Sequence, residues 1–373
     1  MVHFPEKTWE RLVGWWRGGG DPPGEEDFPL LKEQFLIRRA MRGTGGHAYD
    51  VERAWRSVSG ARRRWLLPAR VAGCAAVVAA GVWLSVSWPR EPSGGGLDIV
   101  PGSAKAEVLL ASGEVVPLEA HGARDRWQGD GIVLVNDTAS GRLRYDATGE
   151  EGDSAPRYHT LQVPQGGEYQ LELPDGTVIW VNSRSSVRFP ERFPAGAREV
   201  FLQGEAYFVV ARDDAAPFRV HAGEQVVTVT GTTFNVSAYE DDDIWRATLV
   251  EGSVRVSNGG NEVTLSPSTQ YVLDRRSGEY VVEEVDSYLY TSWIHGRFHF
   301  KAFAFEELVK KLERWYDFRM IYADDSVKRR RFTGFVNKHE PIERMLTLLE
   351  MTTNIQFEGN DKTITVAVKP SDR

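Results

Sequence analysis

Val163–Pro190 reads VPQGGEYQLELPDGTVIWVNSRSSVRFP, and its grammar decides the fold class. Tyr169, Leu171 and Leu173 alternate with polar residues, Pro174-Asp175-Gly176 supplies a turn, and Val178 to Val181 resumes the run. Alternation, turn, alternation is the signature of a β-hairpin. The same pattern continues outward through Glu199 to Leu202, Ala206 to Val210, Phe218 to Val220, Val226 to Val229, Thr233 to Tyr239, Ile244 to Val250, Ser253 to Val256 and Gln270 to Leu273. Strands at this density must cover one another's edges, as in a roll, sandwich or solenoid. Residues 158–285 are therefore expected to form an all-β domain. Residues 89–157 read as a Pro/Gly/Ser linker and a strand-rich lead-in, with Glu107 to Leu110 and Ile132 to Val135 as its clearest strands.

Residues 291–373 follow a different period and contain an approximate repeat. Arg297 to Phe303 reads as a strand, and Phe305, Leu308, Val309, Leu312, Trp315 and Tyr316 then take helical spacing, with Glu306/Lys310 and Glu307/Lys311 as i,i+4 pairs. Phe318 to Tyr322 is a second strand. Arg331 to Val336, a helix from Pro341 to Met351 and Asn354 to Phe357 repeat that order, and Thr363 to Val368 adds a strand. The spacing predicts a C-terminal α+β domain of two βαβ units.

Val71 to Trp88 contains no charge over 18 residues, close to the hydrocarbon thickness of a bilayer as a helix. Arg62, Arg63, Arg64 and Arg70 stand immediately before it, and an Arg excess fixes that side in the cytoplasm. A single transmembrane helix is expected over 67–88, with residues 1–66 in the cytoplasm and the large C-terminal part beyond the membrane. The net charge of −8 divides accordingly, +4 over residues 1–70 and −12 over the rest. That asymmetry suits two compartments better than direct binding of nucleic acid. Trp9 and Trp16, and then Val51, Trp55 and Val58, lie on amphipathic helical stretches separated by GGGDPPG and GTGGH. So few large apolar residues make little core, so these faces are expected to bury themselves on a partner.

Val163 to Pro190, with REVFLQGEAYFVV (198–210), PFRVHAG (217–223), VTGTTFNVSAY (229–239) and LVEGSVRV (249–256), resembles the FecR family of transmembrane sensors. WIHGRFHFKAFAFEELVKKLERWYDFRMIY (293–322) resembles the terminal domain of Bacteroidetes-type members, which is similar to the short signalling domain of secretins and TonB-dependent receptors. The resemblance implies an inner-membrane anti-sigma factor. A TonB-dependent outer-membrane receptor would contact the periplasmic part, and the cytoplasmic segment, through Val51, Trp55, Val58, Trp9 and Trp16, would control an extracytoplasmic-function sigma factor. It also makes Gly231-Thr232 a candidate self-cleavage bond, the Thr232 hydroxyl attacking the Gly231 carbonyl in a strained turn. The plainer reading is a glycine that permits a tight turn before an ordinary β-residue.

No Walker loop, dinucleotide fingerprint, HExxH or G-x-S-x-G occurs, so no enzyme, cofactor or metal is expected. His295 and His299 are four apart but interrupted by Gly296 in a strand-like stretch, which defeats a helical metal pair. Asp241 to Asp243 reads as an acidic hairpin turn, since no calcium-loop register follows. The single Cys74 lies in the apolar run and forms no intrachain disulfide. The competing class is a membrane-anchored periplasmic carbohydrate- or envelope-binding scaffold without regulatory output. It would keep its function after deletion of residues 1–66, whereas a regulator would not.

Overall fold

A computed structural model describes residues 97, 99–118, 126–129, 132–137, 140–147 and 156–369. The expected segments 1–66 and 67–88, and with them Trp9, Trp16, Val51, Trp55 and Val58, lie outside the described residues. Among the described residues no helix is long and apolar enough to cross a membrane.

The described residues between 103 and 284 fold into two β-layers that share one strand. One layer runs Val115–Pro117, Glu107–Leu109, Tyr158–Val163, Ser185–Pro190, Arg198–Val209, Phe218–Ala222, Gln225–Val229, Val254–Asn258 and Asn261–Leu265. The other runs Arg126–Gly129, Ile132–Asp137, Arg142–Ala147, Gly167–Glu172, Val178–Val181, Arg198–Val209, Thr233–Ala238, Ile244–Glu251, Thr269–Asp274 and Tyr280–Glu284. The lead-in strands thus pair within both layers. The predicted all-β domain is present as a sandwich.

The shared strand corrects one expectation. Glu199 to Leu202 and Ala206 to Val210 read as two strands, but Arg198–Val209 is continuous and switches layers at Gly204. Gly204 has φ +92, and a Cβ there would sit 2.2 Å from Ser185 Oγ, so only glycine permits the crossing. Either side of it, Val200 and Leu202 face inward from one layer and Ala206 and Phe208 from the other. Trp245, fully buried, donates from Nε1 to the Ala222 carbonyl at 3.1 Å and ties the layers across the core.

The chain then forms a one-turn helix, α1 (Tyr288–Thr291), and enters the C-terminal module. Helix α2 (Phe305–Tyr316) and helix α3 (Ile342–Thr352) are both amphipathic, as the spacing predicts. The first N–H groups of α2 have no side-chain cap and donate instead to the carbonyls of Arg330 and Lys328. The strand order is also as predicted, but the pairing is not that of βαβ units. Arg297–Ala304 pairs antiparallel with Arg331–Asn337 in a two-stranded ribbon. Arg319–Tyr322 and Ile355–Asn360 flank Thr363–Val368 in a separate sheet of three. Each unit sends its two strands to different sheets because α2 stands between them. The Phe305 ring lies 5.2 Å from Phe332 of the ribbon and 6.2 Å from both Tyr322 and Phe357 of the sheet.

Candidate functional site at the junction of the two folds

Glu307, Lys310, Lys311 and Arg314 recur at i, i+3, i+4 and i+7, so α2 has a charged face beside its apolar one. The predicted Glu/Lys pairing within the helix gives way to pairing with the sandwich. Glu307 accepts from Arg246 at 3.0 Å, while Lys310 donates to the Asp241 carbonyl at 2.9 Å and stands 3.4 Å from the Asp242 carboxylate. Reaching another element gains more than a solvated i,i+4 pair, because the partners are partly shielded from water.

Arg314 is the hub. It is buried, donates to both Asp242 oxygens at 3.0 and 2.7 Å and to Asp241 at 2.8 Å, and its guanidinium lies 3.7 Å from the Tyr239 ring centre. Such a fork-to-carboxylate pair with a ring beneath it is a use of arginine that lysine could not reproduce. Burial opposes ionisation of Asp242, but the hydrogen bond and charge of Arg314, with the charges of Lys310 and Lys311, hold its carboxyl below the usual carboxylate range. The acidic turn at 241–243 is therefore an anchor for the C-terminal module. Among the described residues no group of three or more His, Cys, Asp or Glu is arranged to hold a metal ion.

A second contact is more deeply buried. Lys338, with no exposed surface, places its ammonium 3.8 Å from the Trp315 ring centre, near Trp293 and Phe298, and pairs with Glu168 of the sandwich. Burial pushes the Lys338 ammonium below the usual lysine range, against the opposing pull of Glu168. Trp315 donates from Nε1 to the Lys338 carbonyl at 2.7 Å, which fixes the ring under the charge. Beside this, Asn182 and Asn235 donate to the two oxygens of the buried Glu205 at 2.9 and 3.0 Å, and Trp293 donates to Asn235 at 3.2 Å. The backbone joins too: Gln165 Nε2 donates to the Glu313 carbonyl and the Gly166 N–H to the Arg314 carbonyl, capping the end of α2.

Of the residues singled out in the sequence, Asp241 and Asp242 fall in this junction. His299 is half-buried in the ribbon, stacked 5.2 Å from Phe335, and burial, with help from Arg297, lowers its pKa. Its buried Nε2 has no hydrogen-bond partner among the described residues. Gly231-Thr232 precedes Thr233–Ala238, at the end away from Asp241, roughly 20 Å along the strand. Gly231 does not have left-handed backbone. Its lack of a side chain matters because a Cβ would lie 2.8 Å from Arg212 Cα. The buried Thr232 hydroxyl donates to the Ser253 carbonyl at 2.9 Å. Arg314, Lys338, Glu168 and Glu205 were missed; the charged i, i+3, i+4, i+7 face of α2 was the signal that could have found the first.

Comparison with known proteins fits both folds. Residues 159–255 match the family described as FecR protein, and residues 297–366 match that described as FecR, C-terminal. Both regions are modules of the FecR family. Two crystal structures of a candidate anti-sigma factor from Parabacteroides distasonis share 28% identity with it, at TM-scores of 0.54 and 0.53. Each match covers 57% of this chain and 99% or 100% of the other. No curated protein matches the chain. The two family matches lie on either side of the junction, whose contacts join Glu168, Asn235, Asp241, Asp242 and Arg246 to residues 293–338.

Proposed function

We propose that this protein is an anti-sigma regulator of the inner membrane. A TonB-dependent outer-membrane receptor would engage its periplasmic part, and residues 1–66 would hold an extracytoplasmic-function sigma factor through Val51, Trp55 and Val58, with Trp9 and Trp16 as further contacts. The observation that carries this reading is the presence of both FecR modules in one chain, together with the likeness to a candidate anti-sigma factor. The uncharged run Val71–Trp88 and its Arg-rich flank support a single crossing with the N-terminus inside. The absence of a nucleophile–base or metal motif in the sequence favours a binding role over catalysis. The test is co-purification of the full chain with an extracytoplasmic-function sigma factor of its source bacterium, and transcription from a promoter of that sigma factor. Trp55→Ala is expected to weaken binding by about 2 kcal/mol, as loss of an aromatic anchor does in small helical interfaces. Unchanged co-purification and transcription in both Trp55→Ala and a deletion of residues 1–66 would overturn the reading.

A further inference from the structure

The first described residues of the chain do not go to the sandwich first. Leu97 forms a parallel bridge with Asp361 and packs against the core of the C-terminal module; a Cβ on Gly359 would lie 2.3 Å from Leu97 Cδ2. Ile99, 5% exposed, belongs to that same core. Gly102 passes so close to α2 that a Cβ would meet both Trp315 Cε3 and the Gly166 carbonyl at 2.7 Å. Only then does the chain join the sandwich, Ser103–Ala104 pairing parallel with Gly167 and Glu168.

Two hydrogen bonds make this arrangement conditional on the junction. Ser103 N–H donates to the Gly166 carbonyl at 2.9 Å, and the Gly166 N–H donates to the Arg314 carbonyl at 2.8 Å. One residue, Gly166, thus lies between the incoming segment and the end of α2. Ala104 is also in register with Glu168, the counter-ion of Lys338. Nothing else is needed for the position of α2 on the sandwich to decide whether Leu97 and Ile99–Gly102 have a seat.

We propose that Leu97 and Ile99–Gly102 form a latch, seated by the docked C-terminal module and freed when α2 leaves the sandwich. This segment follows the sequence-predicted membrane span after the short linker at 89–96, so release up to Ser103 would lengthen the tether by about six residues, roughly 20 Å of extended chain. Its regulatory meaning rests on the anti-sigma reading; its mechanics do not. A partner that draws the C-terminal module away would act on the tether without touching it.

Hydrogen exchange on the full chain in detergent micelles tests this, with the amides of Phe218–Ala222 as the internal standard for a folded sandwich. Asp242→Ala weakens the α2 anchor and makes no contact with the latch. It is expected to speed exchange at residues 99–104 at least tenfold while the standard is unchanged. Gly102→Val, which has no room beside Trp315, and the milder Ile99→Ala are expected to do the same. Wild-type protection of residues 99–104 in Asp242→Ala overturns the coupling, and wild-type protection in both latch variants overturns the latch. If exchange quickens but sigma-dependent transcription does not change in Gly102→Val or Ile99→Ala, the latch stands and its place in signalling is overturned.

Discussion

The sandwich and the C-terminal module solve the same burial problem with different materials. The sandwich core is mainly Val, Leu and Phe held in two continuous ladders, and its strand Arg198–Val209 has a neighbouring strand on either side in each layer. The module is smaller and relies on aromatic anchors, Trp293, Phe298, Phe305, Trp315 and Phe332 among them, and on charges whose partners lie on the sandwich. Apolar burial is non-directional, at about 25 cal/mol per Å² of area removed from water, and persists whatever the neighbour does. A buried ion pair is different, because its desolvation cost is returned as soon as the partners separate into water. The module is therefore built to be docked firmly and released cleanly, while the sandwich is built to stay.

The largest expected effect breaks the sandwich side of that comparison. At Gly204 an alanine Cβ would meet Ser185 Oγ at 2.2 Å and its Cα at 2.8 Å, in a backbone conformation with φ +92. Clash and conformational strain together should cost roughly 2–5 kcal/mol. Thermal unfolding followed by the fluorescence of the buried Trp245 should show a lowered transition for the whole sandwich. A wild-type transition for Gly204→Ala would mean the crossing relaxes and that the shared strand is not the rigid element described.

On the other side, Glu168→Ala leaves Lys338 buried without its counter-ion. Complete burial would put the cost at about 3–5 kcal/mol, and the partial exposure of Glu168 lowers this to about 2 kcal/mol. In a Lys338→Met background the same substitution should cost little, since the charge it compensates is gone. The double-mutant cycle, measured by urea unfolding, separates the pair from general packing. Additive effects would assign the stability to the aromatic cage around Lys338 alone.

The sandwich was legible in the sequence because half-buried strands alternate with period two, and Val163–Pro190 carries that period through a turn with its own chemistry. The crossing at Gly204 was not legible, because a glycine between two apolar runs looks the same whether the strand ends or crosses. In the C-terminal module the element order was legible, but the strand pairing was not, since it depends on which side of α2 each strand packs. The junction was least legible of all. Glu306/Lys310 and Glu307/Lys311 satisfy the helix rule on their own, and nothing local reveals that Glu307 and Lys310 are used by Arg246, Asp241 and Asp242 instead. Lys338 gave no signal, because an isolated lysine after a strand is ordinarily solvated.

The smallest expected effect is the acid release of the junction. Asp242 is held below its ordinary pKa of 3.8 by Arg314 and the neighbouring lysines, against the opposing effect of burial. The unfolded chain therefore binds more protons than the folded one in the window below about 3.8, and stability there rises with pH. Equivalently, the contribution of Asp242 is complete above that value and is lost as the pH falls through the folded pKa. Because the group is mostly buried and its partner is a forked guanidinium, the loss should be visible in the C-terminal module. Asp242→Asn should flatten that limb of the stability–pH curve and leave the rest unchanged. The measurement is urea unfolding between pH 2.5 and pH 5, in the window the depressed Asp242 pKa defines. A limb as steep in Asp242→Asn as in the wild type would move the acid sensitivity to other carboxylates and leave Arg314 anchored through Asp241 and the Tyr239 ring.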